Sequence, residues 1–462
     1  MRSIAQDPLS RTNPFTGQGT LAIPYWPYNA FLGWVSNVTP LEPMQAMAAM
    51  GAVNLALFCA GIYRFSQRFL GSPAAPSLAL LCLLTVWGNQ PWNFSAMFHL
   101  GSLFWIAPYP STFAGSISLI ALSGYLKAGT MRPGAFAGYT AVATLILLIH
   151  PITFLFHAAF TCALAVSGPV CTDLRRWVPT LLHLGIASIV GLFWPFFPLS
   201  ELIGANNYTA DPFAFVMYQN VFARCWPALA GLPILIGRFR RNPRDPLGLT
   251  FVALLLLYVY GYFAHAWNYG RGIAYMALLL QLCIAGWLAS HICGAASRRA
   301  LLQRPFAWVC VLVLCALFGL GGWKQLGRIA QASEKSDYVR LRFLERYDPQ
   351  GVLLLSDLHT NKALAGFGFR VVAFGVPPFF GVEYETRVTD LTTFFGSGGS
   401  PAERSRILAK YAPNGVLLDK QNGAVWERIA EDLGASGASI LFQNSQFVFI
   451  GFPGRIPANR DP

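Results

Sequence analysis

The chain has 462 residues, 55% of them hydrophobic and only 11% charged, with a mean hydropathy of +0.47 and a formal net charge of +13. A soluble domain carries about a quarter of its residues as charges, so this composition excludes an ordinary soluble globular protein. It also excludes nucleic-acid binding as the origin of the positive charge, because residues 1–322 hold 17 basic and 6 acidic side chains while residues 323–462 hold a nearly balanced 16 and 14.

Residues 1–43 contain no apolar run long enough to cross a bilayer, which takes about 20 residues. Beyond them the sequence predicts ten spans, at about 44–63, 75–88, 111–127, 134–149, 151–168, 179–198, 222–237, 247–266, 272–292 and 305–322. Thirteen Lys and Arg residues fall in five of the loops between spans: Arg64 and Arg68; Lys127 and Arg132; Arg175 and Arg176; Arg238, Arg240, Arg241 and Arg244; and Arg298, Arg299 and Arg304. The alternate loops hold almost none. Basic loops stay in the cytoplasm, so an even number of crossings puts both termini outside. Parity also requires two crossings in 134–168, with an outward turn at His150-Pro151. Segment 89–110 is rich in aromatics and has no charge, and it is predicted to hold a helix lying in the interface. All nine Cys lie in or beside apolar runs without CxxC spacing, which points to packing rather than disulfides or metal.

The remainder divides into a linker at 323–350 that could be helical, a small α/β domain at 351–455 and a tail at 456–462. Strands are predicted at 352–355, 370–374, 415–419, 439–442 and 447–450, and helices at 401–412 and 423–434. The Gly-, Pro- and aromatic-rich stretch 375–400 is predicted to be a loop. No GxGxxG, Walker or zinc spacing occurs.

On the outer side the polar residues are Asp7, Arg11, Glu42, His99, His150, Glu201, Asp211, Arg224, His265 and Arg271. Ionisable groups near hydrocarbon are costly and usually face a cavity. Arg271 opens a span on the face where the positive-inside rule disfavours Arg, and a fixed guanidinium there suits bidentate binding of a lipid-linked phosphate. The competing account is a snorkelling interfacial Arg. His150, at the outward turn, could bind phosphate or transfer a proton, or could simply bond a helix-end carbonyl. For His265 and His99 the structural account is the stronger. Asp7 and Asp211 each precede a Pro; each could act as a general base or metal ligand, or merely start an Asx-Pro turn. Glu42 is accounted for as a helix cap. The sequons at Asn37, Asn93 and Asn207 carry little weight.

With these features the layout resembles the polytopic glycosyltransferases of the GT-C class. The resemblance rests on 23–70 (IPYWPYNAFLGWVSNVTPLEP onward), on the HP turn in LILLIHPITFLFHAAF (145–160), on the Arg-led span GRGIAYMALLLQLCIAGWLA (270–289), and on the tail with SPAERSRILAKYAPNGVLLDK (400–420). It implies a bacterial inner-membrane, multi-pass, inverting glycosyltransferase with a periplasmic or extracellular C-terminal domain. The donor would be a polyprenyl-phosphate sugar and the acceptor a glycan, lipid or protein. Arg271, with Arg224, His150, His265 and His99, would serve the lipid phosphate. Asp7 or Asp211 would serve as base, or as ligand of a divalent Mg or Mn if one is used. The chain departs from the class in having no span before residue 44 and only Asp7 as an acid before Glu42. A first helix is therefore expected to be missing from this sequence. The alternatives are a non-catalytic scaffold or accessory subunit whose outer domain binds glycan or protein, and a flippase or transporter. The last predicts mid-membrane polar residues, of which the sequence offers few.

Overall fold

The computed structural model describes residues 26–125, 132–168, 174–196, 199–200, 212–292, 337–373, 383–422 and 425–456, with isolated positions at 13, 15 and between 312 and 327. Asp7, Lys127, Glu201, Asn207, Asp211, residues 293–304 and most of the predicted span 305–322 lie outside them. The helices in chain order are α1 (Pro27–Val38), α2 (Pro43–Leu70), α3 (Ala75–Thr85), α4 (Leu100–Ile106), α5 (Pro110–Gly124), α6 (Pro133–Ile149), α7 (Pro151–Val166), α8 (Leu174–Leu192), α9 (Val221–Cys225), α10 (Gly231–Arg241), α11 (Pro246–Phe263) and α12 (Ile273–Ile292). After these comes a mixed region of strands and shorter helices. The chain forms two compact units, one from 44–194 and 198–333, the other from 1–43, 195–197 and 334–462.

In the first unit three helical stretches are long and apolar enough to cross a membrane: Pro43–Leu70, Pro246–Phe263 and Trp267–His291. α3, α6 and α7 are apolar but shorter. The local sequence accounts for the boundaries. Proline stands at the start of α2, α5, α6, α7 and α11, where its missing N–H is not needed. Gly71, at φ +67°, follows the end of α2 in the left-handed conformation that closes helices. The predicted break at His150-Pro151 is present, with α6 ending at Ile149 and α7 starting at Pro151.

The predicted span 222–237 is not one helix. It divides into α9, a 3-10 turn at Ala228–Ala230 and α10. Pro227 removes a helical N–H, and a Cβ at Gly231 would stand 2.2 Å from the Leu280 carbonyl oxygen, so this backbone crosses α12 at a distance only glycine allows. α12 is apolar on every side, as a central helix must be, and 89% of its best spanning window is buried, against about a third for α2 and α11.

Among the described residues, Arg68, Arg238 and Arg244 of the basic loops lie at one end of this unit. Arg68 donates to the Tyr125 carbonyl, Arg238 pairs with Asp245 at 2.8 Å and reaches the Phe69 carbonyl, and Arg244 donates to the Gly168 carbonyl. The seventeen-residue climb along α7 from Ser167, which bonds the Arg244 carbonyl, to His150 covers about 25 Å at 1.5 Å per residue. That is close to the thickness of a hydrocarbon core, about 30 Å.

The second unit carries α13 (Asp337–Arg340), β1 (Leu353–Leu355), α14 (Leu358–Gly366), β2 (Arg370–Val371), α15 (Tyr384–Phe395), α16 (Pro401–Tyr411), β3 (Gly415–Asp419), α17 (Val425–Ala435), β4 (Ser439–Gln443) and β5 (Phe447–Gly451). The five strands fall where the sequence predicts them and form one sheet in the order β2-β1-β3-β5-β4. β2, β1 and β3 are parallel, and β5 runs antiparallel to both β3 and β4. β5 and the first four residues of β3 are apolar and buried because both faces are covered. At the β2 edge, the backbone N–H of Val371 donates to the carbonyl of Phe15 at 2.8 Å. The region predicted as a loop, 375–400, contains α15. Its apolar positions Val388, Leu391, Phe394 and Phe395 recur at helical spacing, a signal masked by the surrounding glycines and prolines.

α15 and α16 are joined by Asp390, which accepts hydrogen bonds from Lys410 Nζ at 2.6 Å and Tyr411 Oη at 2.7 Å. Burial of the Asp390 carboxyl acts upward, but those two bonds and the charges of Lys410 and Arg406 outweigh it and hold the group below the ordinary carboxylate range. A depressed carboxylate stabilises the fold above its unfolded value, about 3.9, and that stabilisation is lost as pH falls through the lower folded value. Asp390→Asn is therefore expected to flatten the acid limb of the pH–stability curve while leaving its slope near neutrality unchanged. An acid titration followed by circular dichroism checks this, and an unaltered acid limb would refute it.

Candidate functional site: an anion site around an aromatic loop

At the end opposite the basic loops, residues far apart in sequence meet around the irregular segment 86–99. The predicted interfacial helix occupies only α4, after this segment, with Phe104 and Trp105 exposed. The segment is fixed by its own backbone. Gly88 N–H donates to the Arg224 carbonyl at 2.8 Å and Asn89 N–H to the Ala223 carbonyl at 3.1 Å. A Cβ on Gly88 would lie 2.0 Å from the Ala223 oxygen, so no side chain fits there. Gly88→Ala is expected to destabilise the unit by about 2 kcal/mol, because backbone on both sides resists the overlap. A thermal unfolding shift checks this, and an unchanged midpoint would contradict the docking.

Both outer arginines lie over rings of this segment. Arg224, in α9, has its Cζ 5.5 Å from the Trp92 ring centroid and donates from Nη1 to the Gln90 carbonyl at 3.2 Å. Arg271, half-buried in the 3-10 turn Trp267–Gly272, has its Cζ 5.7 Å from the Phe94 centroid. Guanidinium over an aromatic face is attracted by the ring quadrupole. Trp92 is itself locked, donating from Nε1 to the Val216 carbonyl at 2.9 Å.

His150 is buried and serves as the N-cap of α7, its Nδ1 accepting from the backbone N–H of Thr153 at 3.3 Å. The same Nδ1 lies 2.7 Å from Thr153 Oγ1, which in turn bonds the buried hydroxyl of Tyr275 on α12. The Tyr275 ring stacks on Phe156 with centroids 4.5 Å apart and planes 9° from parallel. α7, which His150 caps, packs against the 3-10 turn that carries Arg271. His150, Arg271, Phe94, Trp92 and Arg224 thus form one neighbourhood built from α7, the 3-10 turn before α12, α9 and segment 86–99.

The other sequence-predicted positions stand differently. His99 is fully buried; its Nε2–H donates to the Trp92 carbonyl at 3.2 Å and its ring edge meets Trp87, so it supports the segment carrying the arginines. His265 is exposed just beyond α11, with a backbone φ of +53°, and its ring lies against Trp267 at 6.0 Å. Asp7 and Asp211, the predicted base or metal residues, lie outside the described residues. Among the described residues no group of three or more His, Cys, Asp or Glu comes together to hold a metal ion.

Sequence reasoning did not single out Thr153, Tyr275, Trp92 or Phe94. It also did not single out two histidines that α7 and α8 bury within their apolar runs. His157 Nδ1 lies 3.0 Å from Ser118 Oγ, and His183 Nδ1–H donates to the Pro179 carbonyl at 2.9 Å. Both Nε2 atoms are buried with no protein hydrogen bond. Beside His183, Tyr125 Oη and Thr180 Oγ1 are 2.7 Å apart. The signal for this pair was the His residues themselves, in otherwise apolar runs.

In comparison with known proteins, the chain matches no family model and no curated protein.

Proposed function

We propose that the protein is a polytopic membrane glycosyltransferase of GT-C type, taking a sugar from a polyprenyl-phosphate donor on the outer face of a bacterial inner membrane. The observation that carries this reading is the neighbourhood of Arg271, Arg224 and His150. It brings two guanidinium groups and an imidazole together, the guanidinium groups lying over aromatic rings at the end of the helical unit opposite the described basic loops. Such a constellation suits a phosphate that must be held at the bilayer surface and stabilised as it leaves. The partly buried guanidinium groups make each contact worth more than it would be in water. In this reading the membrane unit crosses ten times, the outer ends carry the site, and the α/β domain lies in the periplasm. Asp7 or Asp211 deprotonates the acceptor hydroxyl, and the leaving polyprenyl phosphate stays on the arginines.

The reading is tested by the ligand it requires. Full-length protein in nanodiscs is expected to bind a prenyl monophosphate and to bind the prenol of equal length at least tenfold more weakly. That margin is roughly what one charge-assisted contact contributes. Equal affinity for both would remove the anion site. Binding without sugar transfer from any polyprenyl-phosphate sugar would turn the assignment to an accessory subunit.

A further inference from the structure

The hydrogen bonds around His150 have one consistent direction. The Thr153 backbone N–H can only donate, so His150 Nδ1 carries a lone pair. Thr153 Oγ1, at 2.7 Å from the same atom, then uses its single hydrogen on Nδ1. The buried Tyr275 hydroxyl, bonded to Thr153 Oγ1, must donate to it. The ring hydrogen of the neutral imidazole is thereby forced onto Nε2. Among the described residues no hydrogen bond engages that nitrogen, and it is not among the sealed-off buried atoms.

We propose that Tyr275 and Thr153 are positioning residues that lock His150 as the Nε2–H tautomer, so that a third donor stands beside Arg271 for a phosphate oxyanion. The ligand half of this statement rests on the anion-site reading above. The tautomer half stands on hydrogen-bond geometry alone. Tyr275 is well suited to the role, because its stacking on Phe156 and its place on the central helix fix the start of the chain within the packed core. The arrangement matches how enzymes commonly set an imidazole, where the bond made by one ring nitrogen decides what the other can do. The lock makes the histidine a donor without charging it. A neutral donor adds no second positive charge to the neighbourhood of the 3-10 turn that carries Arg271.

The experiment uses full-length protein in nanodiscs with ¹⁵N-labelled histidine, His150 being assigned by its loss in His150→Gln. The expected spectrum gives His150 a protonated Nε2 and a bare Nδ1. Thr153→Val is expected to weaken binding of a prenyl monophosphate roughly tenfold without changing binding of the matching prenol, and Thr153→Ser to restore it. Tyr275→Phe leaves the Thr153 backbone N–H on Nδ1 and removes only the donor that orients the Thr153 hydroxyl, so it is expected to raise the share of the Nδ1–H tautomer without reversing it, while the protein stays folded. A wild-type His150 carrying its proton on Nδ1 overturns the lock, whatever the variants do. Thr153→Val and Thr153→Ser binding with equal loss overturns the positioning role. A protonated Nε2 in a protein that binds no prenyl phosphate removes the function proposed above and leaves the tautomer assignment intact.

Discussion

Arg271→Ala is expected to lower transfer from a polyprenyl-phosphate sugar by about 100- to 1,000-fold, the usual effect of removing a principal donor to developing negative charge. Arg271→Lys is expected to recover only part of this, because an ammonium keeps the charge but not the planar fork or the stacking over Phe94. The kinetic pattern separates roles. If Arg271 holds the phosphate equally in ground and transition states, KM rises and kcat is preserved; if it stabilises the leaving group, kcat falls with kcat/KM. The leaving-group role predicts the second. Activity of Arg271→Ala within about threefold of wild type would eliminate Arg271 as the phosphate residue, since a loss that small, about 0.65 kcal/mol, is below the roughly 1.5–3 kcal/mol that a hydrogen bond to a charged group supplies.

Arg404→Ala is expected to cost the α/β domain about 3 kcal/mol, the lower end of the range for breaking a buried ion pair from one side. Arg404 is 2% exposed. Its guanidinium donates to the Phe394 and Gly396 carbonyls at the end of α15 and pairs with Asp432 of α17 at 2.7 Å. One side chain therefore ties α15 and α17 to α16 and satisfies terminal carbonyls that would otherwise be stranded. Arg404→Met, which retains the packing volume, is expected to recover less than half of the loss, because the carbonyls and Asp432 remain unserved. Urea unfolding of the full chain, followed by a probe in the α/β domain, measures both. A change under about 0.5 kcal/mol, the size of an ordinary surface substitution, would refute this account.

Much of the architecture was legible because it is written locally. Proline after a polar residue marks helix starts, as at Asp245-Pro246 and His150-Pro151. Short β-branched and aromatic runs mark the five strands. The basic loops mark one end of the helical unit, and in the structure Arg68, Arg238 and Arg244 do cluster there. The failures are where tertiary contact decides. The run 222–237 is apolar enough for a span, but the crossing of Gly231 over Leu280 and the proline at 227 break it. α15 was lost among glycines and prolines that belong to its flanks. The site was half visible: single outer-face arginines and histidines stand out against apolar sequence. Their partners Thr153, Tyr275, Trp92 and Phe94 do not, because Thr and aromatics are common near a membrane surface. Nothing local announces a bond such as Thr153 to Tyr275, which spans 122 residues.

The bond between Val371 and Phe15 constrains more than the edge of a sheet. A backbone hydrogen bond cannot be made through a bilayer, so the two residues it joins occupy the same compartment. Every route of the chain from residue 15 to residue 371 must then enter the membrane as many times as it leaves it. An arrangement with nine crossings, or with any odd number, is incompatible with that one contact, and a tag at the amino terminus should share its compartment with one at the carboxyl terminus.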